Sequence, residues 1–395
     1  MDRSEPFTAF GGDKTGPISK RKTHMNFSEF ELNREIQAGI KACGYETPTQ
    51  VQEETIPPAL AGKDIISLAQ TGTGKTAAFL LPILERIKSG KRGRIKSLIL
   101  SPTRELAEQT LEFIQILGKK TGLRGVSVYG GVSKYNQIQK IKSGADIVVA
   151  CPGRLLDLMN DRAVDLTSVD TLVLDEGDRM LDMGFMPDIR KILDQLPERR
   201  QNMFFSATMP KDISHLAEEI LNDPVWIKSC HEQALEGIDQ CLYPVKGMSK
   251  QEMLVNLLKQ RGSQATLVFT KTKHMATKLS KKLNSAGMRA KDLQGDMSQK
   301  NRRYVLQGFK NGNFNILVAT DVASRGIDVN RIAHVINYDM PDTTEAYTHR
   351  IGRTGRVSSS GEASTFVEPR EFGLIKAIEK SQDRRLKRKN LDNPA

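Results

Sequence analysis

The sequence predicts an α/β protein of two domains, each a mainly parallel sheet covered by helices on both faces. The chain has 395 residues, a length that suits two or three domains. Short runs that are apolar at every position alternate with longer amphipathic stretches, and this alternation occurs in two separate series. A strand that is apolar throughout is buried on both faces, which is typical of a parallel sheet between two helical layers.

The first series predicts a domain over residues 25–225. Its helical segments have an amphipathic pattern, as in the stretch RELAEQTLEFIQILGKK at 104–120. The strand candidates are the apolar runs 64–69, 97–101, 126–129, 146–150, 171–175 and 202–207. Residues 1–24 are rich in Gly, Lys, Thr and Ser without periodicity, which predicts a flexible N-terminal tail.

The second series predicts a domain over residues 240–375, joined to the first by a linker at 226–239. Its strand candidates are the runs 241–245, 265–270, 315–320, 333–338 and 363–367. The last stretch, 376–395, is basic and polar. It predicts a tail that either contacts phosphates or remains solvated.

The composition indicates a soluble, cytoplasmic protein without a membrane segment. Hydrophobic residues make up 38% and charged residues 27% of the chain, as in globular proteins. No apolar run approaches the roughly 18–20 residues that span a bilayer, and the N-terminus has no signal-peptide core. The four cysteines form no C-x-x-C pair, which argues against a disulfide framework and a zinc site. The net charge of +12 is consistent with a nucleic-acid partner, and equally with a basic protein that has no such partner.

A glycine-rich loop follows the first strand candidate, in the segment AQTGTGKT at 69–76. In a strand–loop–helix context, such a loop turns its backbone N–H groups onto phosphates. Lys75 would reach the β- and γ-phosphates of ATP, and the Thr76 hydroxyl would bind Mg²⁺. Ala69 stands where the strict pattern has Gly, and a turn with an incidental lysine is the alternative. The predicted nucleotide-binding residues are Thr71, Gly72, Thr73, Gly74, Lys75 and Thr76.

The apolar run TLVLD at 171–175 ends in the carboxylate of Asp175, and a second carboxylate, Glu176, follows directly. Ligands of open parallel sheets bind at the carboxyl ends of the strands. We therefore expect Asp175 to hold Mg²⁺ and Glu176 to orient or deprotonate the attacking water. The alternative is a helix start, where the helix dipole favours acidic residues.

Six motifs occur in order: AQTGTGKT, PTRELA (102–107), DEGD (175–178), SAT (206–208), ATDVASRGID (319–328) and HRIGRTGR (349–356). In this set the chain resembles the DEAD-box RNA helicases over about residues 26–370. The resemblance implies two RecA-like domains that close over ATP and single-stranded RNA.

The resemblance also implies roles around the nucleotide. Gln52, in GYETPTQVQ at 44–52, would pair with adenine through its amide, which offers a donor and an acceptor. Phe27 stands at the position of an aromatic that stacks on adenine, although from the residues alone a core role is the stronger alternative. Arg353 and Arg356 resemble arginine fingers that reach the γ-phosphate, and Asp328 resembles the residue that touches the ribose. The implied coupling residues are Asp178, Ser206, Thr208 and His349.

For RNA, the resemblance implies contacts from short segments of both domains. These are mostly small residues and single arginines, which suit sugar–phosphate contacts and predict weak sequence preference. Aromatic residues make up only 6% of the chain, so extended base stacking is not expected. The implied residues are Pro102, Thr103, Arg104, Gly130, Gly131, Gly153, Arg154, Gln299, Arg302, Thr320 and Asp321.

Three residues depart from the family pattern. Gly177 replaces the alanine of DEAD; since both residues are small, we expect no steric consequence, only a looser placement of Glu176 and Asp178. Cys151 replaces a threonine and removes a hydroxyl that would bond phosphate. Gln294 stands where a histidine is common, with no predicted consequence.

The leading hypothesis is an ATP-dependent RNA helicase that unwinds short duplexes locally. The alternative is an RNA-dependent ATPase that acts as a clamp or ribonucleoprotein remodeller with little unwinding. A module that has lost hydrolysis is disfavoured by the intact Lys75, Glu176, Arg353 and Arg356. A DNA translocase is a further alternative, and a demonstrated preference for RNA 2′-hydroxyls would exclude it. We expect a monomer that obtains specificity from protein partners.

Overall fold

The described residues form two seven-stranded sheets, each parallel throughout its strand pairs. The computed structural model describes residues 25–69, 72–88, 90, 92–228, 237–262, 264–324, 331–355 and 361–391. The predicted tail at 1–24 lies outside the described residues, as do 229–236 of the predicted linker and 392–395 of the C-terminal tail.

The first sheet has the strand order β3-β4-β2-β5-β6-β1-β7. Its central strands are buried at every position, as apolar runs without alternation predict. Its strands are β1 (Ile65–Leu68), β2 (Ser97–Leu100), β3 (Gly125–Val128), β4 (Ile147–Ala150), β5 (Thr171–Asp175), β6 (Gln201–Ser206) and β7 (Val225–Lys228).

Nine α-helices and a 3₁₀ turn (Phe27–Phe30) belong to the described part of the first domain. Several begin at side-chain caps, such as Thr49 and Thr103, whose hydroxyls accept from a backbone N–H in the first turn. The helices are α1 (Arg34–Ala42), α2 (Gln50–Leu60), α3 (Lys75–Lys88), α4 (Arg104–Leu117), α5 (Lys134–Lys142), α6 (Pro152–Asn160), α7 (Gly177–Asp182), α8 (Met186–Leu193) and α9 (Lys211–Ile220).

The second sheet repeats this arrangement, with the order β10-β11-β9-β12-β13-β8-β14. Its strands are β8 (Ile238–Pro244), β9 (Thr266–Phe269), β10 (Ala290–Leu293), β11 (Ile316–Ala319), β12 (His334–Asn337), β13 (Gly361–Val367) and β14 (Lys387–Arg388). Its described helices are α10 (Lys250–Arg261), α11 (Lys273–Ser285), α12 (Gln299–Lys310), α13 (Asp321–Ser324), α14 (Thr344–Ile351) and α15 (Phe372–Ser381), with a 3₁₀ turn at Pro369–Glu371.

Each sheet separates two hydrophobic layers. In β6, the adjacent residues Phe204 and Phe205 are both fully buried, but they point to opposite faces. Phe205 packs on Phe79 of α3, with ring centroids 5.2 Å apart. Phe204 lies in the other layer with Leu174 and Met180. This second layer supports the strand ends that carry the candidate site.

The two-sheet α/β prediction is confirmed, and three details are corrected. Residues 225–228 form β7, which pairs with β1, so the start of the predicted linker is an edge strand of the first sheet. Strand β10 was not predicted, because its sequence AKDL is half polar. Part of the predicted C-terminal tail is structured: it contains the end of α15 and all of β14, which pairs with β8. Strand β14 was not predicted because its two residues, KR, are charged and lie on an exposed edge.

Within the described part of the chain, no helix has both the length and the apolar character needed to cross a membrane.

Candidate ATP and RNA site

The strand order divides the carboxyl edge of the first sheet into two halves. Strands β5, β6 and β1 are neighbours, and they end at DEGD, SAT and the glycine-rich loop. Strands β2, β4 and β3 form the other half and lead into the segments at 102–104, 151–154 and 130–131. The predicted nucleotide residues and the predicted RNA residues are therefore separated along one edge.

The glycine-rich loop requires glycine at two positions. Gly72 and Gly74 have φ of 89° and 90°, a region that side chains disfavour. A Cβ at Gly74 would also lie 2.5 Å from the Gln52 amide nitrogen. Lys75 begins α3, is buried, and donates from Nζ to the Ala69 carbonyl at 2.7 Å. The Lys75 side chain thus lies inside the loop and is hydrogen-bonded to the residue at the start of the loop. Thr76 follows Lys75 in the first turn of α3.

Gln52 connects the start of α2 to this loop. Its Oε1 accepts from Thr49 N–H at 2.9 Å, and its Nε2 donates to the Gly74 carbonyl at 3.1 Å. The Thr49 hydroxyl donates to the Thr73 carbonyl at 2.7 Å. Each group of the Gln52 amide retains further bonding capacity, which the predicted adenine contact would use.

Phe27 occupies a core position. It is 2% exposed, its ring is stacked on Tyr45 at 6.0 Å, and it contacts Phe30 edge-on. This geometry favours the core role that the residues alone suggested. A contact with adenine remains a prediction.

The carboxylates at the end of β5 are buried in a strained turn. Glu176 has φ 54° and ψ 54°, a left-handed conformation that is rare for a residue with a side chain. Its Oε2 accepts from Arg179 Nη1 at 2.6 Å, and both side chains are almost fully buried. Burial raises the pKa of Asp175, and the adjacent Glu176 raises it further, while Lys75 opposes both.

Asp178 connects α7 to the SAT segment. Its Oδ2 accepts from the N–H groups of Ala207 and Thr208 at 3.2 and 3.0 Å, and from the Thr208 hydroxyl at 3.1 Å. Its own N–H donates to Ser206 Oγ at 3.1 Å. Burial alone would raise the pKa of Asp178, but the charges of Lys75 and Arg179, with the hydrogen bond from Thr208, outweigh burial and lower it. Three of the predicted coupling residues therefore form one hydrogen-bonded group.

A pocket of about 530 Å³ lies between the domains. The first domain contributes Asp178, Arg179 and Thr208, and the second contributes His349 and Arg353. Arg353 is 5% exposed. Burial, with the nearby charge of Arg179, lowers the pKa of His349 to about 4, so this imidazole is neutral at pH 7. The fourth predicted coupling residue thus faces the first three across the domain boundary.

The other half of the edge opens into a groove of about 330 Å³. The Arg104 guanidinium lies against Gly131, where a Cβ would stand 2.3 Å from Nη1. Arg154 donates to the Val132 carbonyl at 3.2 Å, which holds it at the same edge. Predicted RNA residues that line this groove are Pro102, Thr103, Arg104, Gly130, Gly153, Arg154 and Arg302.

Two predicted RNA residues have other contacts. Arg302 forms an ion pair with Glu105 of the first domain and donates to the Ala323 carbonyl at 2.6 Å. Asp321 accepts two bonds from Arg350, at 2.7 and 2.6 Å, and lines the inter-domain pocket. Each side chain holds protein structure together in this conformation, so its contact with RNA remains a prediction. Thr320 lies between β11 and α13, beside Asp321.

The three departures from the family pattern have local consequences. Cys151 is the N-cap of α6 and makes no side-chain cap bond, which a threonine would provide; burial raises the pKa of its thiol to about 12. Gln294 accepts from Asp296 N–H at 2.9 Å and fixes the turn after β10. The expectation that Gly177 has no steric role was wrong, because a Cβ there would meet the ring of Phe204 at 2.4 Å.

Three predicted residues, Thr71, Asp328 and Arg356, lie outside the described residues, as does the side chain of Gln299.

Two arginines of the site were not predicted from the sequence. Arg179 could have been found, since it stands three residues after Glu176 on a helix. Arg350, which contacts Asp321 and lies over the Phe269 ring at 5.0 Å, stands in the motif HRIGRTGR but was given no role there.

The fold and these contacts define a class: a P-loop nucleotide hydrolase with two parallel α/β domains that meet across a shared pocket. Comparison with known proteins agrees. Residues 49–216 match the DEAD/DEAH box helicase family, and 249–358 match the helicase conserved C-terminal domain. The DEAD-box ATP-dependent RNA helicase CshA of Streptococcus pneumoniae is 45% identical over 364 residues, which cover 92% of this chain and 69% of that protein. The chain belongs to the DEAD-box ATP-dependent RNA helicases.

Solved structures of this family differ in how well they superpose on the whole chain. Saccharomyces cerevisiae Dbp5 bound to RNA and ADP BeF3 has a TM-score of 0.84 at 31% identity, covering 93% of this chain and 96% of that one. A DEAD box protein from Methanococcus jannaschii is 39% identical and covers 92% and 99%, but its TM-score is 0.56. The two domains of this chain are therefore arranged as in RNA-bound Dbp5, which agrees with two RecA-like domains in contact.

Proposed function

We propose that the chain is an RNA-stimulated ATPase whose domains close over ATP and single-stranded RNA and thereby separate short duplexes locally. The observation that carries this proposal is the inter-domain pocket, where His349 and Arg353 stand beside Asp178 and Thr208. A site completed by side chains from both domains is active only when the domains meet, so ATP hydrolysis and closure are coupled.

ATP and Mg²⁺ fit the residues of the first domain. Among the described residues, no three His, Cys, Asp or Glu side chains converge as metal ligands. Mg²⁺ commonly binds through one carboxylate, with phosphates and water completing its shell. Asp175 and the Thr76 hydroxyl are hard oxygen donors that suit this role. When bound, the ion would neutralise charge on the phosphates.

The remaining chemistry comes from the protein's own side chains. Lys75 binds the β- and γ-phosphates, and the glycine-rich loop adds backbone N–H groups. Glu176, held by Arg179, orients the attacking water. Arg353 and Arg356 offset the charge that develops on the transferred phosphoryl group; such fingers contribute factors of about 10³–10⁵ in rate.

RNA binds along the other half of the sheet edge. Arg104 and Arg154 supply charge there, and the glycines at 130–131 and 153 allow close backbone approach. Such contacts read sugar and phosphate, so we propose weak sequence preference. Protein partners then select the RNA. We place the protein in the cytoplasm as a monomer.

The decisive experiment is steady-state ATP hydrolysis by the purified chain, with and without single-stranded RNA. We expect RNA to stimulate turnover, and Glu176→Gln to abolish it while ATP still binds. Glu112→Gln, the same change at an exposed position of α4, is the matched control. Absence of turnover despite ATP binding would contradict the proposal and indicate an ATP-gated RNA-binding protein.

A second candidate function, an RNA clamp with little unwinding, is favoured by ion pairs between the domains. Arg302 and Arg303 of α12 pair with Glu105 and Glu108 of α4. Such pairs prolong closure, and slow opening favours clamping. A strand-displacement assay separates the two functions: duplex release with each round of hydrolysis supports the helicase, and RNA-stimulated hydrolysis without release supports the clamp.

A further inference from the structure

We infer that Phe204 is a positioning residue for Glu176, and that it acts through Gly177. In this chain the phenylalanine ring occupies the space of the missing Cβ, so the two residues form one packing unit that sets the rate of ATP turnover. This inference rests on the proposed role of Glu176 in orienting the attacking water.

The glycine at 177 is required by space and not by backbone conformation. Gly177 is the first residue of α7, so its backbone is helical and compatible with alanine. The left-handed residue is its neighbour Glu176, with φ 54°. A β-carbon at 177 would lie 2.4 Å from Cζ and 2.8 Å from Cε1 of Phe204, against an ordinary contact distance of at least 3.4 Å.

The Phe204 ring cannot move aside at low cost. The residue is fully buried in β6, between Ile66 of β1 and Leu174 of β5. Its ring belongs to the same hydrophobic layer as Met180 of α7. Protein interiors are close-packed, so a displaced ring must displace its neighbours. The cheaper response to an added Cβ is a shift of Gly177 and the start of α7.

Such a shift acts directly on Glu176. Residue 177 is bonded to it, and the Glu176 carbonyl accepts from the N–H groups of Arg179 and Met180 at 3.0 and 3.1 Å. The Glu176 carboxylate is held by Arg179 of the same helix. Relieving the contact requires a movement of about 1 Å, and a misplacement of that size can lower a rate by about 10²-fold.

The test is a double-mutant cycle on the full chain, with Gly177→Ala, Phe204→Leu and both together. Leucine is shorter than the ring and leaves room for a Cβ. The matched control is Phe205→Leu, the same change at the next residue of β6, where the side chain points to the opposite face. RNA-stimulated ATP turnover is measured as kcat and KM, with thermal melting alongside.

We expect Gly177→Ala to lower kcat by about 10–100-fold with less than a threefold change in the KM for ATP, because the P-loop contacts are intact. The double variant should return to within about threefold of the native kcat, a strong non-additivity. Phe205→Leu should lower the melting temperature while keeping kcat within about threefold, and should not rescue Gly177→Ala.

Native turnover in Gly177→Ala would overturn the inference, as would equal rescue by Phe205→Leu or no rescue by Phe204→Leu. Loss of kcat in proportion to melting temperature across all of the variants would also overturn it, because that result indicates a purely structural role. A native chain without RNA-stimulated hydrolysis would instead refute the proposed function itself, so the two failures are distinguishable.

Discussion

The two ion pairs between the domains should differ strongly in their effect on closure. Arg302 and Glu105 are 11% and 13% exposed, whereas Arg303 and Glu108 are 60% and 24% exposed. Removing one partner of a buried pair costs about 3–5 kcal/mol. An exposed pair contributes about 0.2–1 kcal/mol. Glu105→Ala should therefore weaken closure by more than about 100-fold, and Glu108→Ala by at most about fivefold.

The assay is fluorescence anisotropy of a short labelled oligouridine, titrated with protein in the presence of ADP and beryllium fluoride. Both carboxylates lie near the RNA groove, where direct repulsion would make their removal strengthen RNA binding. Loss of an inter-domain ion pair should instead weaken RNA binding. Glu112→Ala on the same helix, an exposed position without a described ion pair, controls for the general loss of negative charge.

The effect of each substitution on RNA affinity should also depend on nucleotide and on salt. The losses should vanish without nucleotide, because the pairs form only when the domains meet. The Glu108 effect should shrink at high salt, since exposed charges are screened. Equal effects of the two substitutions, a gain in affinity, or a loss that is independent of nucleotide would refute the reasoning.

Three other predictions concern buried polar groups. Gln52→Glu keeps an acceptor for Thr49 but turns the donor to the Gly74 carbonyl into a repelling oxygen, so ATP affinity should fall by about 1–3 kcal/mol, measured as KM. Arg179→Met leaves Glu176 buried without its partner, and urea unfolding should show a loss of about 3–5 kcal/mol. His334, whose pKa burial lowers to about 3, binds a proton near pH 6.5 when unfolded. Stability should therefore fall as pH drops from about 6.5 towards 3, by up to about 1.4 kcal/mol per unit, and His334→Gln should flatten this slope in urea unfolding.

Two of these predictions have a matched control variant. Gln50→Glu, at an exposed position of the same helix, should leave the KM for ATP unchanged. Arg190→Met breaks an exposed ion pair and should change stability by less than about 1 kcal/mol. Equal losses in either comparison would contradict the burial argument. For His334, the same slope in native and variant proteins would show that another group controls the acid response.

Local sequence determined much of this protein. Apolar runs placed the central strands, because a strand buried on both faces has no polar alternation to obscure it. The edge strands β10 and β14 were missed because their sequences, AKDL and KR, are half or wholly polar. The edge strand β7 is mostly apolar, but it was assigned to the linker because its partner β1 is distant in sequence. The role of the P-loop glycines was also predictable from the sequence, because a left-handed φ is a local requirement that glycine meets most easily.

Only the tertiary structure decided which groups meet. It brought Asp178 to Ser206 and Thr208, and paired Arg302 with a carboxylate of the other domain. It also reversed the interpretation of Gly177, which by residue type is a small change from alanine. The space available to a Cβ depends on Phe204, which lies 27 positions away in strand β6. Sequence specifies side chains and local conformation, whereas the distance between two side chains is set by how strands and helices pack.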